Sequence, residues 1–282
     1  MAQAKKTIKK TGGRKKTTSA RRSSSHKKTK DMPHWQYILI AALVSSIAMF
    51  IAYHLLFKHV IYRFTTCEGV KIYETCIPKG YDVYGLDISH HQGKIDWEKL
   101  SKENPEEAPV SFIYMKACEG SDHKDTRFDT NWQKAKEHGF TRGAYHYFST
   151  YSTGLEQANM FTKTVKLEKG DLPPVIDVEE HPENKTQFIQ ELKIFITKIE
   201  EHYGIKPIIY SGKKYKKRYL DDKFFDRYPT WIAHYYVDSL EVDQTWTFWQ
   251  CSDRGRLPGI SRNVDINIFN GTLKTLDNFK KK

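Results

Sequence analysis

The sequence predicts an α/β fold in which a closed, TIM-like barrel follows a single N-terminal transmembrane helix. From Tyr81 onward, eight short apolar runs alternate with helical patterns, and an uncharged stretch, Trp35–Phe57, precedes them. Strands that alternate with helices favour a largely parallel sheet, and eight of them suggest a barrel. Residues 81–272 are few for a complete β/α barrel, which typically has about 250 residues. We therefore expect incomplete helices and a final part built from antiparallel or poorly covered strands.

The elements of the barrel follow one another in a regular order. The strand candidates are Val83–Ser89, Val110–Cys118, Arg142–Ser149, Pro174–Glu179, Pro207–Ser211, Thr230–Tyr235, Thr245–Cys251 and Val264–Phe269. The helix candidates are Asp129–His138, Gly154–Val165, Lys185–Tyr203 and Lys213–Leu220. The clearest helix covers Lys185–Tyr203, because its apolar residues form one stripe and Gly204 follows as a C-cap. Segments 238–244 and 253–263 resemble loops, which leaves no room for helices between the last strands.

The formal charge of the chain, +12, comes almost entirely from its first 34 residues. These hold twelve Lys or Arg residues and one acid, Asp31, whereas residues 58–282 have a net charge of +1. A tail of this composition, with almost no apolar residues, is expected to be disordered. It lacks the interleaved aromatic residues and the folded basic module of a nucleic-acid-binding protein, so we expect no nucleic-acid partner. The composition of the tail is better explained by a signal for membrane topology that also contacts anionic lipid.

The uncharged stretch Trp35–Phe57 would form a helix of roughly 35 Å, long enough to cross the hydrocarbon core of a bilayer. Aromatic residues near both of its ends suit the two membrane interfaces. A cleaved signal peptide is the alternative, but its apolar region usually has about 7–15 residues and precedes a small-x-small site. The basic residues before the stretch predict an uncleaved single-pass anchor, with the N-terminus in the cytoplasm. The following domain would then lie outside, in the periplasm or at the cell surface.

Four cysteines fit a domain outside the cytoplasm, where disulfides persist. Cys67 and Cys76 flank a short segment just past the predicted anchor and are candidates for a disulfide. Cys118 and Cys251 each end a strand candidate, and they are either neighbours at one mouth of the barrel or two buried thiols. Neither Cys-x-x-Cys nor His-x-x-x-His spacing occurs, so we expect no zinc site and no cofactor.

These patterns divide the chain into five parts. They are a basic tail (1–34), a transmembrane helix (35–57), a juxtamembrane segment (58–80), a barrel (81–272) and a basic C-terminal tail (273–282).

Five carboxylates fall at strand ends: Asp87, Glu119, Asp177 and Glu179 end or follow strands, and Asp265 begins the last one. In an α/β barrel the carboxyl ends of the strands form the active-site face, so we expect a cluster of acids there. Residues two apart in a strand point to the same side, so Asp177 and Glu179 aim at one spot. Taken alone, this pair also fits an acid-rich helix N-terminus. Two carboxylates in apolar surroundings take different pKa values, as glycoside hydrolysis requires.

Aromatic and amide side chains occupy the same strand ends. Aromatic faces stack on sugar rings, and polar tips form hydrogen bonds with them. The candidates for substrate binding are therefore Tyr145, Tyr147, Tyr210, Trp231, Tyr235, Gln250 and the acid Glu119. Phe148 and Trp249, by contrast, are expected to belong to the core.

A series of motifs, found in one order, gives the chain a resemblance to a known family. The motifs are Gly85-Leu86-Asp87-Ile88-Ser89, Gln92-Gly93, Ile95-Asp96-Trp97, Lys116-Ala117-Cys118-Glu119-Gly120, Gly143-Ala144-Tyr145-His146-Tyr147-Phe148, Asp177-Val178-Glu179, Ile209-Tyr210-Ser211, Trp231-Ile232-Ala233, Phe248-Trp249-Gln250 and Val264-Asp265-Ile266-Asn267. With them, the region from about Tyr81 to Phe269 resembles glycoside hydrolase family 25, the Chalaropsis-type lysozymes. The sequence departs from the family pattern at Cys118 and Cys251, which bears on substrate subsites rather than on the acids.

The resemblance implies a flattened, modified β/α barrel and an N-acetylmuramidase. Such an enzyme cuts the β-1,4 bond between N-acetylmuramic acid and N-acetylglucosamine in peptidoglycan glycan strands. By motif, Glu179 would be the general acid and later the general base, and Asp177 would support the 2-acetamido group of the substrate. Asp87 and Asp265 would shape the negative pocket and position these partners. Three mechanisms are compatible with these residues: substrate assistance, a direct nucleophile, and attack by a water molecule.

Two other functions compete with this one. A non-catalytic glycan-binding barrel would be favoured by the loss of an acid, but all four acids are present. A metal-dependent polysaccharide deacetylase would use Asp87, His90 and His91, but the sequence lacks the further His pair at helical spacing that such an enzyme needs.

Overall fold

The first described part of the chain is a single apolar helix. The computed structural model describes residues 32–57, 70–240 and 245–282. Helix α1 (His34–Ala52) continues into a turn of π-helix, and none of its residues is buried. The stretch His34–Leu55 is long and apolar enough to cross a membrane, which makes it a candidate for an anchor or a signal sequence. The predicted disordered tail lies outside the described residues, except for its last three positions.

Eight strands close into a barrel in which one strand runs against the other seven. The strands of the chain are β1 (Val70–Ile72), β2 (Thr75–Ile77), β3 (Tyr84–Ile88), β4 (Val110–Glu119), β5 (His123–Lys124), β6 (Thr141–Tyr147), β7 (Val175–Asp177), β8 (Ile208–Gly212), β9 (Thr230–Ala233), β10 (Phe248–Gly255) and β11 (Val264–Phe269). The order around the barrel is β3, β4, β6, β7, β8, β9, β10, β11, and β11 returns to β3. Among these eight barrel strands, as far as the described residues show, only β11 is antiparallel to its two neighbours, β10 and β3. The predicted barrel with an antiparallel final part is confirmed.

Helices accompany the strands mainly in the first part of the barrel. They are α2 (Trp97–Lys102), α3 (Phe128–Glu137), α4 (Gly154–Thr164), α5 (Lys185–Tyr203), α6 (Lys213–Tyr219) and α7 (Leu273–Phe279). In α5 the predicted apolar stripe is buried, Asn184 caps the N-terminus, and Gly204 ends the helix with a φ of 67° that favours glycine. Within the described residues no helix separates β9 from β10 or β10 from β11, which confirms the incomplete helical layer.

Aromatic side chains fill the interior of the barrel. Phe112, Tyr114, Trp231 and Phe248 pack with ring centroids 5.0 to 6.1 Å apart. A Cβ atom at position 143 would lie 2.2 Å from the Tyr114 ring, so Gly143 is required for this ring to pack against β6. The barrel is therefore a packed core rather than a pore, and a ligand site must lie at one of its ends.

Elements on both sides of residues 81–272 pack against the barrel. The β1–β2 hairpin buries Ile77 completely, and the backbone N–H of Arg256 donates to the carbonyl oxygen of Tyr73 at 2.7 Å. The segment expected as a basic C-terminal tail contains α7, whose Leu276 is 1% exposed. The ring of Phe279 contacts the interior aromatic residues. Both elements were missed because they have too few apolar residues to show a periodic pattern.

Candidate active site

Four acids meet at the end of the barrel where the parallel strands terminate. Asp87 lies near the end of β3, Asp177 is the last residue of β7, and Glu179 follows two residues later. Asp265 is the second residue of β11 and pairs with Asp87. Because β11 is antiparallel, its beginning lies at the same end of the barrel as the ends of the other strands. The antiparallel closure therefore brings a residue from a strand start into a cluster of residues at strand ends.

The acids line a cavity of about 200 Å³. Its lining residues are Asp87, Tyr145, Val175, Asp177, Glu179, Tyr210, Trp231, Tyr235, Gln250 and Asp265. They include all four acids and five of the seven predicted substrate-binding residues. Trp231 is only 2% exposed, and its ring centroid lies 5.3 Å from that of Tyr210. It therefore forms the floor of the cavity and leaves little of its ring free to stack on a sugar. A larger cavity of about 310 Å³, bordered by residues 148–153 and 182–191, contains none of the four acids.

Two amide side chains hold the Asp87 carboxyl group in place. Gln250 Nε2 and Asn267 Nδ2 donate to the same Asp87 oxygen, Oδ2, at 2.8 and 2.7 Å. The orientation of Gln250 is fixed because its Oε1 accepts from the hydroxyls of Tyr210 and Tyr235, at 2.7 and 2.5 Å. The Asn267 oxygen likewise accepts from the indole N–H of the floor tryptophan at 3.1 Å. Sequence reasoning missed Asn267, although its spacing of two from Asp265 placed it on the same face of β11.

Asp265 shares a proton with Asp87. Burial, followed by the negative charge of Asp87, raises the pKa of Asp265 to about 9. Burial also raises the pKa of Asp87, whereas its hydrogen bonds from Asn267, Gln250 and Asp265 oppose that rise. Two neighbouring carboxyl groups cannot both ionise without strong repulsion. The pair therefore holds a proton to a higher pH than an isolated aspartate does, and the hydrogen bond from Asp265 to Asp87 favours Asp265 as the residue that carries it.

The Asp177 carboxyl group is buried in the cavity wall. The residue is 9% exposed, and its Oδ1 atom has no hydrogen-bond partner in the described parts of the chain. Burial raises the pKa of Asp177 well above its usual value, and the charges of Glu179 and Asp87 raise it further, while the Lys116 ammonium lowers it. A buried polar atom without a partner costs about 1–3 kcal/mol. An N–H or O–H group of a substrate would satisfy it.

Glu179 differs from Asp177 in reaching solvent at the rim of the cavity. Partial burial of its carboxyl group and the negative charge of Asp87 raise the pKa of Glu179, and a hydrogen bond with Tyr210 opposes this rise. Glu179 therefore keeps its proton to a higher pH than an ordinary glutamate. A carboxyl group that has a raised pKa and is accessible to water suits a general acid that later acts as a base.

Glu119 and Tyr147, the other two predicted substrate-binding residues, lie beside the cavity rather than in its wall. Glu119 Oε2 accepts from Lys116 Nζ at 2.6 Å, and this ammonium lies 4.9 Å from the centroid of the Tyr147 ring. The Lys116 side chain is 10% exposed. Sequence reasoning missed Lys116, although a lysine inside a run of apolar strand residues signalled a buried cation. Binding of substrate by Glu119 and Tyr147 stays a prediction.

The three described cysteines lie outside the cavity wall. Cys118 and Cys251 are free, buried thiols, the second of the two alternatives, and burial raises the pKa of both, that of Cys118 to about 12. Cys118 Sγ lies 3.2 Å from His146 Nδ1 on the outer side of the barrel wall. Cys76 is disulfide-bonded, and its expected partner Cys67 lies outside the described residues.

The residues that a deacetylase would use do not converge. His90 contacts Asp125 instead of Asp87, with its Nδ1 atom 2.7 Å from Asp125 Oδ2. The His91 ring lies against the His90 ring, with centroids 4.1 Å apart. In the parts of the chain that the structure describes, no group of three or more His, Cys, Asp or Glu side chains is arranged to hold a metal ion.

Known proteins are similar to this chain in sequence and in fold. Residues 86–260 match the family model of glycosyl hydrolases family 25. The chain is 40% identical to YegX of Escherichia coli (strain K12) over 212 residues, which cover 74% of this chain and 78% of YegX. It is 32% identical to Lysozyme M1 of Streptomyces globisporus over 210 residues, which cover 69% and 70%. A solved family 25 glycosyl hydrolase from Bacillus anthracis matches with a TM-score of 0.65 and 35% identity, covering 71% of this chain and 94% of that one. The chain belongs to glycosyl hydrolases family 25 and is a glycoside hydrolase of the lysozyme type.

Proposed function

We propose that this protein cleaves the β-1,4 bond between N-acetylmuramic acid and N-acetylglucosamine in peptidoglycan, with Glu179 as general acid and then general base. One observation supports the roles assigned to Glu179 and Asp177. Asp177 and Glu179 stand two residues apart at the end of β7, yet the first is buried with an unpartnered Oδ1 atom and the second is open to solvent. The similarity to Lysozyme M1 supports the same class of reaction.

In the first step, protonated Glu179 donates its proton to the glycosidic oxygen as the bond from this oxygen to the anomeric carbon breaks. The carbonyl oxygen of the substrate's 2-acetamido group attacks the anomeric carbon, and Asp177 accepts a hydrogen bond from the N–H of that group. Water then attacks the anomeric carbon, the bond to the acetamido oxygen breaks, and the Glu179 carboxylate takes a proton from the water. Asp87, fixed by two amides, stabilises the positive charge of the transition state.

The assignment is tested by Glu179→Gln. The amide cannot donate the proton, so we expect the wall-lytic rate to fall by about 10²–10⁴-fold while the protein remains folded. Glu183→Gln is the matched control, because Glu183 is an exposed acid nearby that does not line the 200 Å³ cavity. A folded Glu179→Gln protein that retains more than about half of the wild-type rate would refute the assignment of the general acid.

The bond that is cut is tested by mass spectrometry of the released muropeptides. We expect new reducing ends of N-acetylmuramic acid. We also expect activity to survive EDTA, because carboxylates stabilise the positive charge of the transition state and no bound cation is required for this. Reducing-end N-acetylglucosamine, 1,6-anhydro sugars or deacetylated glycan would each indicate a different enzyme class. Loss of activity with a chelator, restored by zinc, would favour the deacetylase.

We further propose a single-pass anchor with the barrel outside the cytoplasm. Its support is the apolar helix His34–Leu55 and the excess of basic residues before it. Protease added to spheroplasts should remove the C-terminal domain and spare an N-terminal tag. Protection of the C-terminal domain in intact spheroplasts would contradict this topology, and release of a shortened soluble protein would favour a signal sequence.

A further inference from the structure

Helix α6 brings a concentration of positive charge to the active-site end of the barrel. Its sequence is KKYKKRY, and it starts directly after β8, whose carboxyl end lies at this end of the barrel. Tyr215 and Tyr219 are buried, with their rings 5.7 Å from that of His181. The Tyr215 hydroxyl donates to the carbonyl oxygen of Glu180 at 2.5 Å. The helix is thereby fixed to the segment that follows Glu179.

The outer side of α6 carries three exposed cations, Lys214, Lys217 and Arg218, which we call the cationic face. They are spaced i, i+3 and i+4, so they share one side of the helix. In the described residues none of the three forms an ion pair. The nearby acids already have partners, since Asp221 pairs with Lys185 at 2.8 Å and Asp222 with Lys193 at 2.6 Å.

The neighbouring cavity has the opposite charge. Its four acids suit neutral sugar rings whose transition state is positive, and those of the four that are ionised repel anions. A peptidoglycan strand presents both kinds of group, because its sugars are neutral while its peptide stems end in carboxylates. An enzyme with only the acidic cavity would repel part of its own polymer. A cationic surface fixed beside the cavity would offset this repulsion.

We propose that the cationic face binds the carboxylates of peptide stems on strands whose sugars occupy the cavity. This inference rests on the proposed function and deepens it, because it makes the charged stem part of the recognised substrate. An anionic lipid surface is the competing occupant. The attachment of α6 to the segment after Glu179 favours the substrate, since it fixes the helix to the residue that follows the proposed general acid.

The test neutralises the cationic face and, separately, the stems. The variant is Lys214→Gln/Lys217→Gln/Arg218→Gln. The matched control, Lys163→Gln/Lys169→Gln/Lys274→Gln, removes the same charge from exposed lysines near the ends of α4, the following loop and α7. Each full-length protein is assayed in neutral detergent micelles on two walls. One is native, and the other has its stem carboxyl groups converted to amides with carbodiimide and ammonia.

On native wall we expect the cationic-face variant to show a KM about 3- to 10-fold above wild type, the size expected for three exposed ion pairs, with the effect on KM rather than kcat. Amidation should raise the KM of the wild type and of the control variant by a similar factor, and it should not raise that of the cationic-face variant. Added salt should shrink the difference on native wall, because exposed charges are screened within about 10 Å at 0.1 M.

Three results would overturn the inference. The first is a wild-type KM for the cationic-face variant on native wall, and the second is an equal rise of KM in the control variant. The third is a difference that arises only when phosphatidylglycerol is added to the micelles, which would assign the surface to lipid. In each case the wild type still releases muropeptides. Failure of the proposed function would instead appear as no release from either wall.

Discussion

Asp177 is the acid whose surroundings fit a substrate contact most directly, because it is buried and its Oδ1 atom lacks a partner in the described residues. Asp177→Asn keeps the size of the side chain but removes its charge and replaces one acceptor with a donor. We expect kcat to fall by about 10²–10³-fold, the range seen when one group that stabilises a transition state is lost. Rates of wall hydrolysis, with thermal unfolding as a check of folding, measure this. A fall no larger than that of Glu183→Gln would contradict the role of Asp177.

Lys116 offsets part of the rise in the pKa of Asp177 that burial and the charges of Glu179 and Asp87 produce. Its ammonium lowers the pKa of Asp177, and the carboxylate of Glu119 raises it. Removing the cation in Lys116→Met should therefore raise the pKa of Asp177 and move the acidic limb of the pH–kcat profile to higher pH. Glu119→Gln should move the same limb to lower pH. Lys116→Arg keeps the charge and should leave the limb near its wild-type position; shifts in the same direction for all three variants would contradict this coupling.

Helix α7 closes the end of the barrel interior away from the acids. Leu276 is 1% exposed inside a cluster with the interior aromatic residues, whereas Leu273 on the same helix is 54% exposed. Leu276→Ala should lower the free energy of unfolding by about 2–5 kcal/mol, the usual cost of truncating a buried leucine. Leu273→Ala should change it by less than about 0.5 kcal/mol. Thermal unfolding compares the two, and kcat at a permissive temperature should be the same for both; equal losses of stability would show that α7 does not pack as described.

The strands of the barrel could be predicted because each is a short apolar run between polar segments, and Val264–Phe269 has the same bounds in sequence and structure. The candidate Pro174–Glu179 shortens to Val175–Asp177. At its start, proline has no N–H to donate to the ladder. Pairings across the barrel were beyond sequence reasoning. The contact of Asp265 with Asp87 depends on the antiparallel register of β11, and no local pattern encodes that register.

The acid cluster makes the stability of the whole barrel depend on pH. Asp265 keeps its proton up to a pKa of about 9 in the folded protein, against an ordinary value of 3.8. Its contribution to stability is therefore complete below about pH 4 and is lost progressively as the pH rises toward 9. Asp265→Asn removes this dependence and still offers an N–H to Asp87.

We accordingly expect Asp265→Asn to unfold at a higher temperature than the wild type at pH 8, with the difference shrinking toward pH 4. For a domain of this size each kcal/mol corresponds to about 2–4 °C. Thermal unfolding of the full chain in detergent across this pH range measures the effect. A difference in Tm that stays constant with pH would contradict the protonation of Asp265, and the variant should lose activity because the pocket is altered.

The seam between β3 and β11 joins the first and last strands of the barrel, and each contributes one acid to the pair that shares a proton. A chain leaves the ribosome from its N-terminus, and contacts between distant segments form only when the later segment is available. The ring cannot close before residue 269 has been made, so a growing or truncated chain has neither a sealed barrel nor a complete set of acids. We therefore expect lytic chemistry only from a chain in which β11 has been synthesised.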